Sequence, residues 1–523
     1  MAVSAIALSV AGIASAQVTT SSIRGQVSDA DGGAVSGATV VITHTPSGTV
    51  SAAVSGANGT FSSRGLRVGG PYTVEVTGAD FTPVTVTDIF IALDQTYPLN
   101  LTVSGARTLD TVVVTGSQLQ SGFSSQGLTT SLGLEALNEV VTIDRDITDA
   151  AELDPFASVN VQSGGAKELT IAGANNRFNS LTIDGVALND RFGLNANGYP
   201  TQRSPISFDA IQSLSVETAP FDTEYNGFTG GTINAVTKSG TNEFHGSAFY
   251  FKTDDSMAGS KIGDRKVDRS FEEKTYGGTF GGPIIKDKLF FFLSYDKYEE
   301  AAALNRGPTG SGAVNIEDVT PADITEISDI MSTVYGFDVG DFGGGVPPVE
   351  DEKILGSIDW NITNDHRAKF TYIKTEGASI TEQNGNNFLQ GADLAYPSSW
   401  YNNSEKVESY IGHLYSDWTP NFSTEVKIAK TTQATGADSL NGAEFFLGSV
   451  ETSTGTVIAF GPDRFRHGNE LDQEFMQYKL KAEYLLGDHT LKAGFEREEV
   501  DVDNLFAQNS EGTYAFASID DLR

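Results

Sequence analysis

The 523 residues exceed what a single hydrophobic core usually serves, so two or more domains are expected. Lys and Arg number 34 against 68 Asp and Glu, and the formal net charge of −34 repels nucleic acid and anionic membrane surfaces, which excludes nucleic acid as a partner. With no cysteine, structural disulfides and thiolate metal sites are excluded too.

The first residues are a short apolar run ending in Ala14-Ser15-Ala16, the small-x-small pattern that a signal peptidase reads. Residues 1–16 are therefore expected to be an export signal, with Gln17 as the mature N-terminus, although Met1 runs straight into apolar residues without a basic stretch. No other segment supplies the roughly 20 consecutive apolar residues of a membrane-spanning helix. If the chain crosses a membrane it must do so as a closed barrel, the other architecture that satisfies its backbone hydrogen bonds in lipid.

Residues 20–104 alternate short strands with glycine turns: Ile23 to Val27, Ala38 to Thr43, Val50 to Val54, Tyr72 to Val76 and Leu99 to Val103, broken at Asp29 to Gly33 and at Asn58-Gly59. That spacing predicts a small β-sandwich. Asp29-Ala30-Asp31-Gly32 opens like a calcium loop, but the bidentate Glu that would close one is missing, and a hairpin turn is expected instead. The runs IRGQVSDADGGAVSGATVVIT and SGANGTFSSRGLRVGGPYTVEVTGADF resemble the carboxypeptidase regulatory-like domain, a transthyretin-like sandwich often placed before the plug of outer-membrane receptors. Its name confers no peptidase activity.

Residues 105–129 hold a β-branched run, Asp110-Thr111-Val112-Val113-Val114-Thr115, followed by a Ser/Gly/Gln-rich linker. A short strand of high β-propensity in such a setting suits addition to another protein's sheet edge, where backbone hydrogen bonds supply affinity. In position and sequence it resembles a TonB box; the plainer reading is a last strand of the preceding domain.

Residues 130–241 contain Ile143 to Asp149, Leu169 to Asn176, Leu181-Thr182-Ile183-Asp184-Gly185-Val186, Asn189-Asp190 and the run Tyr225 to Asn242, followed by Phe244-His245-Gly246. This ordered series resembles the plug and the plug-to-barrel junction of TonB-dependent receptors, in particular the Oar-like subfamily. Short strands joined by Asn, Asp and Gly turns also make a compact polar globule, fit to sit in a water-lined lumen.

From 242 to 523 the pattern becomes longer strands with period-two alternation. Met476, Tyr478, Leu480, Ala482 and Tyr484 alternate with Gln477, Lys479, Lys481 and Glu483, and Phe422, Thr424, Val426 and Ile428 alternate with Ser423, Glu425 and Lys427. Connection lengths separate a soluble sandwich from a barrel. Tight turns are expected at Lys286-Asp287, Thr363 to Asp365, Thr419-Pro420 and Gly487-Asp488, with long polar segments between them. Short periplasmic turns and long extracellular loops mark outer-membrane barrels. Trp360 and Trp418, each just before a short turn, fit an interfacial aromatic girdle. About ten strands are counted, the last from 512 onward, against about 22 in plugged transporters, so the chain is expected to stop mid-barrel. The fold class expected is mainly β: an Ig/transthyretin-like sandwich, an α+β plug and a partial antiparallel transmembrane β-barrel.

Few motifs suggest catalysis. Tyr276 to Pro283 is glycine-rich but lacks the Lys-Ser/Thr pair and helix of a phosphate loop. His467-Gly468-Asn469-Glu470 has the H-x-x-E spacing of zinc peptidases, yet the nearest later histidine, His489, falls at the opposite membrane face. His44, His245, His366 and His413 show no convergent spacing with carboxylates. No catalytic residue, metal or cofactor is expected.

The resemblance implies active transport across the outer membrane, with Asp110, Thr111, Val112, Val113, Val114 and Thr115 read by TonB and an extracellular ligand met by plug and loops. Arg191, Tyr199 and Arg203 lie in an Asn- and Gly-rich plug segment that fits a ligand-facing apex, or equally plug-to-wall salt bridges. Excess acid favours cationic or peptide-like ligands only weakly. The rival readings are a surface binding or adhesion protein without energised transport, and an exported peptidase.

Overall fold

The computed structural model describes residues 18–105, 112–115, 128–142, 144–162, 166–259, 261–262, 265–266, 270–344, 348–383, 391–487 and 489–523. The expected signal segment, together with Asp110 and Thr111, lies outside the described residues.

The first domain is a sandwich of two sheets. Strand β1 (Ser21–Asp29) pairs antiparallel with β4 (Thr60–Leu66) and parallel with β7 (Thr96–Pro98) and β8 (Leu101–Val103). The facing sheet runs β3-β2-β5-β6-β9, built from Thr49–Val54, Thr39–His44, Gly69–Thr77, Val84–Ile91 and Val112–Thr115. Alternation sends Ile23, Val27, Val40, Ile42, Val74, Val76 and Ile89 inward until each is 0% exposed, and burying such side chains stabilises by roughly 1.5–3 kcal/mol apiece. Asp29 caps its own turn: its Oδ1 accepts from the backbone N–H of Asp31 at 3.0 Å and of Gly33 at 2.7 Å. This is the side-chain-capped hairpin that the sequence predicts in place of a calcium loop.

The second domain has a sheet of order β10-β15-β16-β13-β14 (Leu128–Gly133, Ile211–Thr218, Gly231–Thr237, Ser180–Ile183 and Val186–Ala187), a separate pair β11 (Ala157–Val161) and β12 (Lys167–Ile171), and helices α1 (Leu134–Glu139) and α2 (Ile147–Ala151). Asp146 caps α2 by accepting from the Thr148 N–H at 2.8 Å. Ile147, Ile183, Leu214 and Val216 form a core that is 0% exposed. Between β13 and β14 the two-residue turn Asp184-Gly185 has φ of 47° and 70°. Positive φ at both central residues is the type I′ hairpin that Asp-Gly favours, and it aims the Asp184 side chain away from the plug core.

The third unit is a nine-stranded antiparallel meander, in order His245–Asp254, Phe271–Ile285, Leu289–Ala302, Val349–Asn361, His366–Thr381, Tyr401–Thr419, Phe422–Ser439, Asn469–Leu486 and His489–Phe506. The connections alternate in length as expected, with the tight ones at the end nearest the first domain. Its polarity is inverted relative to a soluble sheet. Leu293, Ile358, Phe370, Ile428, Leu480 and Phe495 are 44–63% exposed on one face, while Lys427 and Lys479 on the other are 1% and 4% exposed, packed against the plug. Trp360 and Trp418 face outward at 50% and 58% exposure, the placement of a girdle at the water–lipid boundary.

Two expectations need correction. The segment from 512 does not add a tenth strand to this sheet. Thr513–Phe516 pairs parallel with Leu447–Glu451 in a separate four-stranded sheet, which also holds Leu394–Ala395 and Val457–Phe460. Nor are the long connections simply polar. Tyr396, Trp400, Val450, Ile458 and Phe460 gather over Ile327 and Met331 of the 321–335 helical segment into a core of their own. The apolar residues scattered through these loops are too far apart in sequence for periodicity to reveal that they converge.

Candidate functional site: the plug against the barrel wall

The plug packs against the inner face of the barrel sheet through an apolar band, in which Phe292, Leu355, Ile373, Val407 and Ile411 of the wall join the plug core, and through charges and hydrogen bonds around that band. One deeply buried point of this contact is the Asp184-Gly185 hairpin, with Asp184 at 1% exposure. The Asp184 carboxylate lies 3.0 Å from Lys369 Nζ and accepts from Thr371 Oγ1 at 2.9 Å, Thr237 Oγ1 at 2.7 Å and the Thr237 N–H at 2.9 Å. His413 Nε2 lies 3.0 Å from the Asp184 carbonyl, and Lys427 donates to the Gly185 carbonyl. Burial works to raise the Asp184 pKa, but Lys369 and the Thr237 donors outweigh it and hold the carboxyl below the usual range. The group is an anion with every partner in place.

A second cluster binds Glu224, on the loop between β15 and β16. Its Oε1 is 2.7 Å from Lys481 and 2.9 Å from Lys492, and its Oε2 is 3.5 Å from Lys479. Desolvation opposes ionisation here also, but the three lysines, Lys481 foremost, hold the pKa down to about 2.

Higher on the wall, Glu405 accepts from Asn195 Nδ2 at 2.8 Å and the Gln202 N–H at 2.6 Å. Arg191 forks onto both oxygens of Glu498 and lies 4.6 Å over the Phe475 ring. Of the two roles weighed for Arg191, this is the plug-to-wall ion pair. Arg203 stacks 3.7 Å over Tyr298 and donates to the Asp144 carbonyl at 3.0 Å. Tyr199 is 3% exposed, with its hydroxyl donating to Asp146 Oδ1 at 3.2 Å. Tyr199 is thus buried beside Asp146, while Arg191, Phe192, Leu194, Ala196 and Gln202 of the same loop are exposed. The three residues belong to one loop but do not converge on one cavity.

The first domain sits at the short-turn rim and closes on the plug through Tyr225. The Tyr225 hydroxyl contacts Asp94 of the first domain and Glu217 of β15, the latter at 2.7 Å. One phenolic proton satisfies one carboxylate, so the other contact needs a carboxyl proton. Burial raises Asp94 to about 6, with Glu224 adding to the rise against the Tyr225 hydrogen bond, Lys492 and Lys481. Burial and then the Asp94 charge raise Glu217 to about 8. Beside this junction lies a chamber of about 1190 Å³, bounded by all three units and lined by Arg24, Arg64, Asp94, Asp222, Arg367 and Lys492 among others.

Neither Asp184 nor Glu224 is assigned a role by sequence reasoning. A usable signal was present: a lone carboxylate in the apolar run Leu181 to Val186, and lysines spaced by two on the predicted inner face at Lys479 and Lys481. The expected TonB-binding strand appears as β9, parallel to β6 with Val112 opposite Val84 and Thr115 opposite Thr87. His467 lies in the long connection before Asn469–Leu486 and His489 beyond its far end, and among the described residues no group of three or more His, Asp or Glu is arranged to hold a metal ion.

Comparison with known proteins gives three matches in chain order: a carboxypeptidase regulatory-like domain over residues 22–104, a TonB-dependent receptor plug domain over 123–232 and an outer-membrane β-barrel domain over 236–310. The TonB-dependent transporter Oar of Myxococcus xanthus is 26% identical over 321 residues, covering 58% of this chain and 28% of that protein. The probable TonB-dependent siderophore receptor PirA of Acinetobacter baumannii is 27% identical over 233 residues, 42% of this chain and 29% of that protein. The outer-membrane transporter YddB of Escherichia coli shares the fold, at a TM-score of 0.51 and 12% identity over 74% of this chain and 50% of that one. The chain thus spans about half the length of that solved transporter and matches under a third of each relative. These domains place it in the outer membrane, with the plug inside the barrel and facing the periplasm. In composition and order they are the regulatory-like, plug and barrel parts of a TonB-dependent outer-membrane receptor with Oar-like homology.

Proposed function

We propose that the protein moves an extracellular ligand across the outer membrane by TonB-dependent active transport, and that Asp110 to Thr115 are the segment TonB reads. The observation that carries this is the chemistry of the plug's contact with the wall. Around the apolar band at Ile373, Val407 and Ile411 it is ionic and hydrogen-bonded at Asp184, Glu224, Glu405 and Glu498, and water can replace each of these polar partners when the plug shifts, whereas a wholly apolar contact would expose all its surface at about 25 cal/mol per Å². A domain that must close a pore and then yield to a pull needs such a contact. The reading includes no catalytic step.

Ligand contacts are assigned to the 190–203 loop, where Phe192 and Leu194 are exposed beside Arg191 and Arg203, and to the long connections above it. A relative named as a TonB-dependent transporter and one named as a probable TonB-dependent siderophore receptor support this reading.

Replacing Val113 with Pro removes a ladder donor at the centre of the TonB segment. Uptake by cells carrying the full-length gene should cease while ligand binding at the cell surface is retained. Uptake that persisted in this variant would overturn the assignment and favour a surface-binding protein without energised transport.

A further inference from the structure

Strand β9 is the outermost strand of the sheet β3-β2-β5-β6-β9. It lies parallel to β6, with Val112, Val113, Val114 and Thr115 opposite Val84, Thr85, Val86 and Thr87. Without β9, this stretch of β6 would be a bare sheet edge, a row of N–H and C=O groups ready to pair with any extended segment. Pairing with β6 uses one edge of β9, and among the described residues no strand pairs with the other.

The domain that carries β6 is itself tied to the short-turn rim of the barrel. Arg64 meets Glu483 at 3.2 Å, Arg67 donates to Asn361 at 3.2 Å, Arg367 donates to the Gly65 carbonyl at 3.1 Å, and the Asn242 N–H donates to the Pro46 carbonyl at 2.7 Å. The β9 segment is therefore held extended at a fixed place on the face from which TonB must approach. A free segment loses backbone freedom when it joins a partner's sheet, and that loss weakens binding; a segment already held as a strand has lost it beforehand. A parallel ladder of four residues is also slightly less stable per residue than an antiparallel one.

We infer that the β6 edge of the regulatory-like domain is a presenting surface for this chain's own residues 112–115, and that TonB adds to the free edge of β9 and extends the sheet by one strand. This rests on the proposal that TonB reads this segment. The opposite role for the same contact is concealment, in which TonB must first displace β9 from β6.

The two roles predict opposite signs in one experiment. Residues 1–523 hold no cysteine, so Thr85→Cys with Val113→Cys, register partners on adjacent strands, is introduced into full-length protein with any cysteine elsewhere replaced by Ser, where it can form a single defined disulfide. Binding of a soluble TonB fragment is then measured with the link oxidised and reduced. Presentation predicts that the disulfide forms and that the oxidised protein binds at least as tightly as the reduced one, by up to about tenfold. Loss of binding on oxidation would establish concealment and overturn the inference, as would failure of the disulfide to form. Val113→Pro in the unlinked protein tests the underlying assignment separately. If that variant binds TonB unchanged, the segment is not what TonB reads, whatever the cross-link shows.

Discussion

The plug has two buried surfaces that differ in their share of polar groups. Its interior, around Ile183, Leu214 and Val216, is apolar and 0% exposed. Its contact with the wall is just as dry, with Asp184 at 1%, Lys427 at 1% and His413 at 4% exposure, and there charged and hydrogen-bonded groups flank an apolar band at Leu355, Ile373, Val407 and Ile411. Burial does not tell these surfaces apart; what water does to them on separation does. Opening the interior costs the full transfer of apolar area, whereas opening the contact costs that transfer only along the apolar band and elsewhere exchanges protein partners for water, a small net change once both sides are solvated. The plug is thereby built to stay folded while it lets go.

The largest effect should come from removing one member of the best-satisfied pair. Asp184→Ala leaves Lys369 buried without its anion, and breaking a buried pair from one side costs about 3–5 kcal/mol. The plug should then leave the wall at lower urea concentration, read from a fluorophore on a single introduced cysteine, with its own secondary structure retained. Leu214→Ala strikes the other surface, at about 2–5 kcal/mol for a buried Leu truncation, and should unfold the plug rather than release it. If the two variants gave the same transition, the distinction between interior and contact would fail.

A smaller effect is expected at the Asp94–Tyr225–Glu217 junction. Both carboxyls are raised in the docked state, to about 6 from 3.8 and to about 8 from 4.5. The docked state thus binds more protons than the separated one. Its stabilisation is complete below the free carboxyl values and is lost as pH rises through about 6 to 8, at no more than about 1.4 kcal/mol per pH unit for each proton. The groups facing the junction are Asp222 and Glu224 from the plug loop and Lys481 and Lys492 from the wall. Spin labels at Asp31→Cys and Val141→Cys, on the first domain and the plug, should report a distance that broadens between pH 6 and 8, and Glu217→Gln should flatten that response. A distance distribution independent of pH would mean that no proton is held there.

What the sequence revealed follows from the range over which each pattern acts. Alternation along 422–428 and 476–484 displays the two faces of the wall because strand periodicity is local, and the tight turns at Asp287 and Gly487 are local too. The partners of Asp184 are not: Lys369 and His413 lie 185 and 229 residues away in sequence, joined only by the closure of the fold. The converging loop core around Trp400 and Phe460 is hidden for the same reason. The burial of Tyr199 beside Asp146 is of the same kind, since an Asn- and Gly-rich loop carries no periodicity from which its packing could be read.

The weakest effect in the comparison is the most telling control, because it keeps the chemistry and changes the surroundings. Arg306 and Glu317 approach to 2.6 Å, closer than Asp184 and Lys369 at 3.0 Å, but their side chains are 41% and 23% exposed. Water already solvates both groups, so their attraction is screened and holding them together costs side-chain entropy. Arg306→Ala should lower stability by less than about 1 kcal/mol, measured in the same urea titration as Asp184→Ala. Distance alone would rank the two pairs the other way. If Arg306→Ala proved as costly as Asp184→Ala, exclusion of water from the plug contact would not be what gives its charges their weight.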